Sequence, residues 1–345
     1  MGEPTLPDGA RQFGVDRELT VSGPPEDVHE EPAVSRSDGG QLVAERDPSA
    51  AVLGFFRTQG VLSDPGSNVD LYSDLPGTPV EIARVVQGLL VPPYPRLLAM
   101  YGLKEGEFDN SRFGVRRAEN LLRRIEQRHP GPLTVPRPPK DRVGAICRNY
   151  TFLQVSMLRH KGIPARSRVG FAGYLDSEGS TWWDHRVTEY WDGEQHRWVL
   201  YDCWIDEVRR NHDDITLDTT DLRPTGKYLL APEAWRLARE GGRDPNTFGD
   251  NPSDRGMPPI RYALLQDLAY LNKFELLGND DWGELLTKPE AHVTDADRAF
   301  LDDVAAATVE PDDNFEEVRR LFGESPYGHA IREAIESLGA SASHY

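Results

Sequence analysis

Three side chains of this sequence have the types and the order needed for thiol chemistry: Cys147, His185 and Asp202. A histidine beside a cysteine takes the thiol proton and later returns it to a leaving group. A carboxylate on the far side of the ring fixes the tautomer and steadies the imidazolium, and the thiolate attacks a carbonyl to give a thioester. No rival chemistry is written in the chain. It has no cysteine pairs at zinc spacing, no HExxH, no glycine-rich phosphate loop and no calcium loop of the EF-hand kind, so neither a metal nor a cofactor is expected.

The elements that must position these groups are legible around them. Ile146, Tyr150, Leu153 and Met157 recur at spacings of four, three and four, one face of a helix, with Gly162 as its stop and Pro164 after it. Cys147 therefore falls in or just before the first turn, where unpaired backbone N–H groups and the helix dipole favour an anion and can face an oxyanion. The alternative is an inert buried thiol, since free cysteine packs well in cores. Downstream, "TWWDHRVTEYW" and "HRWVLYDCWID" flank the turn sequence "DGEQ" and read as an antiparallel hairpin. With a loop of even length, Trp191 is expected opposite His196, and His185 directly opposite Asp202, because both pairs of numbers sum to 387. Alternation sends Cys203 to the other face, as packing. It also sends Trp183 to the His185 face and Trp204 to the Asp202 face, an aromatic wall near the thiol.

The stretches "CRNYTFLQVSMLRHKGIPARSRVGF", "DHRVTEYW" and "RWVLYDCWID" resemble the transglutaminase-like superfamily, and the resemblance covers about 141–206. It implies an α+β fold of papain/transglutaminase-like type, a nucleophile helix packed on an antiparallel sheet, with additional flanking helices. It assigns Cys147 as nucleophile, His185 as base and Asp202 as orienting acid. Relatives of the bacterial type often carry Asp where this chain has Asn149, and Trp where it has Arg186. Together with Trp183 and Trp204, these two are the expected substrate-binding residues. Gln127 is the available upstream carboxamide for an oxyanion, with nothing in the sequence to aim it. The implied activity is acyl transfer or amide-bond chemistry through a thioester. Hydrolysis of a peptide or amide is one alternative, and a non-catalytic binding module on the same fold is another.

The whole chain narrows the partners. Its 345 residues carry a formal charge of -18, which repels phosphate backbones and anionic lipid. No nucleic acid and no membrane are expected, and no apolar run nears the ~20 residues of a bilayer span. The reading is a cytoplasmic protein with free thiols, acting on a small-molecule or peptide amide or thioester, carrier-bound or free. Arg148, Arg166, Arg168 and Arg186 make the core segment more basic than the rest, suited to a carboxylate or a phosphopantetheine carrier. Residues 1–45 read as a flexible extension, 46–140 as helical, 141–206 as the catalytic core, 207–258 as loop-rich and 259–345 as helical again. In the last region "PIRYALLQDLAYLNKFELL" is expected as one helix, and Thr294 with Asp297 fits a capping box.

Overall fold

The computed structural model describes residues 47–104, 115–176, 178–251, 253–278, 280 and 282–340. The expected N-terminal extension lies outside the described residues. Chain order runs through helices α1 (Ala50–Arg57) and α2 (Pro79–Leu89), strand β1 (Leu90–Val91), and helices α3 (Pro95–Met100) and α4 (Ala118–Arg128). Pro79 occupies the first turn of α2 and Thr78 caps it, so that helix starts where its sequence dictates. Strand β2 (Val143–Gly144) pairs in parallel with β1, and the Ala145 amide continues the pairing to the Val91 carbonyl at 2.9 Å. That short ladder delivers the chain to helix α5 (Cys147–His160) in a fixed direction.

Helix α5 is followed by β3 (Ala165–Ala172), β4 (Trp183–Asp192) and β5 (Arg197–Tyr201). Gly162, at φ +76, turns the chain out of α5 in the left-handed conformation that ends helices. After α6 (Glu207–His212) comes β6 (Tyr228–Leu230), which pairs with β3, so the antiparallel sheet has the order β5-β4-β3-β6. The fold is α+β, with the expected helix-on-sheet core. The segment 207–258, expected as loop-rich, also holds short regular elements. Besides α6 and β6 it contains α7 (Ala231–Arg239), started by Pro232 and by Glu233, whose carboxylate accepts the Leu230 amide at 2.7 Å. A three-residue strand is too short to show a period, which hid β6 from sequence reading.

Helix α8 (Met257–Leu271) ends earlier than expected. Asn272 caps it and Lys273 takes φ +64, so "KFELL" leaves the helix as an irregular segment. The remaining helices are α9 (Glu284–Thr287), α10 (Asp295–Val309), α11 (Phe315–Glu324) and α12 (Pro326–Ala340). The capping box of α10 forms as its sequence predicts, Thr294 Oγ1 accepting from the Asp297 amide and Asp297 Oδ2 from the Thr294 amide. Two large apolar clusters lie on the two sides of the core. One joins α7, α8, α10 and α11 to the Phe171 region of β3, and the other joins α2, α4 and α5. Helix α5 and the sheet are held between them, and the site sits on that seam.

Candidate active site

The hairpin of β4 and β5 has a four-residue loop, 193–196, and its register differs from the expected one by two residues. Trp191 stands opposite Trp198 and Asp192 opposite Arg197, so paired numbers sum to 389 rather than 387. An even shift keeps every side chain on its face, so the expected meeting of histidine and aspartate survives as a diagonal neighbour relation. Asp202 lies just past the end of β5, where its amide has left the strand pairing for the Thr219 carbonyl at 2.8 Å. From there Asp202 Oδ2 meets His185 Nε2 at 2.9 Å.

Both partners are sealed from solvent: His185 is 1 % exposed and Asp202 0 %. The carboxylate is fully engaged. Its Oδ2 also accepts the Tyr174 hydroxyl at 2.6 Å, and its Oδ1 accepts the Trp204 amide at 2.9 Å. Burial opposes ionisation of Asp202, but His185 and these hydrogen bonds outweigh it and hold the pKa below the ordinary carboxylate value. Burial likewise opposes protonation of His185. The charge and hydrogen bond of Asp202, together with Cys147, overcome it and raise the imidazole to about 10. With Nε2 committed to Asp202, Nδ1 is the nitrogen left for the thiol, and it makes no other hydrogen bond.

Cys147 is the first residue of α5, half-buried, and no side chain caps the helix start at Ile146. The Cys147 thiol adds to the rise in the His185 pKa. The strand under the histidine is fixed from the other side. Gly170 of β3 pairs with His185 of β4 on one side and with Leu230 of β6 on the other, and a Cβ there would stand 2.1 Å from the Leu229 carbonyl and 2.9 Å from the Tyr228 hydroxyl. Only glycine permits that approach, which lets the Tyr228 hydroxyl donate to the His185 carbonyl at 3.0 Å.

Cys147 and His185 open onto a cavity of about 460 Å³. Of the four expected substrate-binding residues, Trp183, Arg186 and Trp204 line it, and the Trp204 ring lies 5.2 Å from the His185 ring. Asn149 does not. Two positions beyond Cys147 on a 3.6-residue helix it points elsewhere, buried with its amide donating to the Val115 carbonyl at 3.0 Å. Gln127 is exposed on α4 and does not line the cavity. Tyr94, which does line it, was missed because it belongs to a connector, "PPYP", that no periodicity marks. Cys203 packs in the α2–α5 cluster, where burial pushes its thiol well above the ordinary range.

The arginines that made this segment look basic are committed internally. Arg148 donates to the carbonyls of Val115, Arg116 and Glu275. Arg166 pairs with Glu189 and Asp312, Arg168 with Asp267 and Glu189, and Arg186 with Asp184 and the Gln266 carboxamide. No group of acidic, histidine or cysteine side chains among the described residues has the geometry of a metal site, and no helix among them is long and apolar enough to cross a membrane.

Residues 109–203 match the model of the Transglutaminase-like superfamily, so the chain carries a domain of that superfamily, and the match encloses Cys147, His185 and Asp202. No curated protein and no solved structure matches the chain significantly.

Proposed function

We propose that this protein is a cysteine-dependent acyl-transfer enzyme that works through a thioester on Cys147. The observation that carries the reading is that Cys147 and His185 line one cavity while His185 Nε2 is held by the buried Asp202 and Nδ1 is left unfilled. In it His185 Nδ1 accepts the Cys147 proton and Asp202 steadies the resulting imidazolium. The thiolate adds to a substrate carbonyl, and backbone N–H groups at the uncapped start of α5 face the developing oxyanion. His185 then gives its proton to the leaving group as the thioester forms. An incoming nucleophile reverses these steps, passing its proton to His185 as the Cys147 sulfur leaves.

Water as that nucleophile makes the enzyme an amidase or protease, and an amine makes it an amide-forming transferase. A cavity of about 460 Å³ walled by Trp183, Trp204 and Tyr94 fits a small substrate better than an extended peptide, and this supports transfer to an amine.

The test is the rate of Cys147 alkylation by iodoacetamide at pH 7. It should exceed that of a small-molecule thiol, and His185→Ala should lower it by roughly 10²-fold or more, the usual scale for a positioned base. A wild-type rate no faster than the model thiol, unchanged in His185→Ala, would sink the catalytic reading in favour of a binding module. Mass spectrometry of the acylated Cys147 peptide after exposure to cell metabolites would then identify the acyl group.

A further inference from the structure

The cavity contains a carboxylate that the triad does not use. Most other charges on its wall neutralise each other, Asp213 pairing with Arg96, Arg209 and His212 and Asp184 with Arg186, while Asp214 is exposed to solvent. Asp176 is spent on the amides of its own loop, including Thr181 at 2.7 Å. Asp250 has no such use. Its Oδ1 accepts the Asp184 amide at 2.9 Å, and no arginine or lysine among the described residues forms an ion pair with it. Beside it, Asp184 Oδ1 is buried with no hydrogen-bond partner, and both residues line the cavity that Cys147 lines.

Asp250 is held there by construction. The Trp182 amide donates to the Thr247 carbonyl at 2.7 Å and the Gly249 amide to the Trp182 carbonyl at 3.0 Å, so residues 247–249 run alongside the start of β4. Gly249 sits at φ +125, and a Cβ on it would stand 2.2 Å from the Asp254 carbonyl oxygen, so this approach also requires glycine. Asp250 lies outside the residues that match the superfamily model.

Resting on the thioester reading, we propose that Asp250, with Asp184 beside it, forms the acceptor subsite: it binds a protonated primary amine and takes the first proton from it. The chemistry requires such a group. An ammonium ion must lose one proton before it can attack and a second after it has attacked, and His185 accounts for only one. In the proposed step the R–NH₃⁺ group transfers a proton to the Asp250 carboxylate and becomes R–NH₂. The amine nitrogen then bonds to the thioester carbonyl carbon, and His185 Nδ1 takes the second proton. The C–S bond breaks, leaving the amide, the Cys147 thiolate and the imidazolium. Asp250 then releases its proton to solvent.

The local electrostatics suit that role. Burial and the neighbouring Asp184 raise the Asp250 carboxyl to about 7 against the opposing pull of Arg186 and His185, which brings it closer to an ammonium than an ordinary carboxylate stands.

The test reads charge selectivity at the thiol. Cys147 is modified with 2-aminoethyl methanethiosulfonate, a cation, and with 2-sulfonatoethyl methanethiosulfonate, an anion. The ratio of the two rates is compared with that of a small thiol. The wild type should favour the cation by about tenfold over the reference, and Asp250→Asn should bring the ratio back toward it. In the wild type the ratio should also fall as pH drops through about 7, where Asp250 gains a proton, and His212→Gln, which removes the other histidine on this wall, should leave that fall in place. The acetyl-enzyme made with p-nitrophenyl acetate supplies the proton step: Asp250→Asn should lower the rate with putrescine relative to that with hydroxylamine, which is already neutral, by a similar factor. A wild-type ratio equal to the reference, or a ratio indifferent to both pH and Asp250→Asn, overturns the proposal. Because the ratio cancels thiol reactivity, a Cys147 that His185 does not activate would leave it intact, so the two readings fail separately.

Discussion

Two of the buried ionisable side chains of strand β4, His185 and Glu189, stand four residues apart and are used in opposite ways. Glu189 is 2 % exposed and is bound by Arg166 at 2.6 Å and Arg168 at 3.0 Å. Arg168 in turn grips Asp267 of α8 through two parallel hydrogen bonds of 3.0 and 2.9 Å, and Asp267 also accepts the Val169 amide at 2.9 Å. Those bonds close a network that ties helix α8 to strand β3. His185 is equally buried and has an equally good carboxylate, yet one ring nitrogen is left for a half-buried thiol at a cavity wall. Burial and strong pairing are common to both. What separates structural charge from chemical charge is an unfilled hydrogen-bonding position that opens on space where a ligand can sit.

The sharpest way to break this contrast is to remove Asp267. Asp267→Ala leaves Arg168, with no exposed side-chain surface, short of a partner, and should cost about 3–5 kcal/mol in urea unfolding. His185→Ala also breaks a buried pair and should cost stability of the same order, but it alone should abolish thiol reactivity. Loss of thiol reactivity in folded Asp267→Ala would erase the distinction.

Next in size is Asp202→Asn, followed by NMR titration of the His185 ring. In the wild type the imidazolium should persist to about 10, and in the variant its midpoint should fall by roughly two units or more, because Cys147 is then the only charge left to oppose burial. The sign for stability follows. A raised histidine pKa contributes stability that is whole below the unfolded value of about 6.5 and is lost as pH rises through about 10. The depressed Asp202 acts at the other end, its contribution whole above about 3.9 and lost as pH falls. The wild type should therefore lose stability above neutrality more steeply than Asp202→Asn does.

The smallest effect is expected from Thr294→Ala, which removes one cap from α10, away from both networks. It should cost about 1 kcal/mol with no change in alkylation rate.

Much of the site was legible because it depends on local rules. The period of Ile146, Tyr150, Leu153 and Met157 placed Cys147 at a helix start, and strand alternation put His185 and Asp202 on one face even with the register misjudged by two. Parity is robust to an even slip, and register is not, because the loop conformation sets it. Asn149 was misplaced because proximity in sequence is not proximity on a helix.

The amino-acid order by itself determined the placement of the candidate groups: a thiol at a helix start, and a histidine and a carboxylate on one hairpin. Only the tertiary structure decided the character of the cavity. Whether an arginine is free or spent depends on what folds against it, and here long-range carboxylates and carbonyls consume those that looked available. Asp250, 103 positions from Cys147, reaches the same cavity wall through backbone pairing at Trp182 and a glycine held in a positive-φ conformation. Such convergence arises from chain topology and close packing, for which no local pattern in the sequence carries a signal.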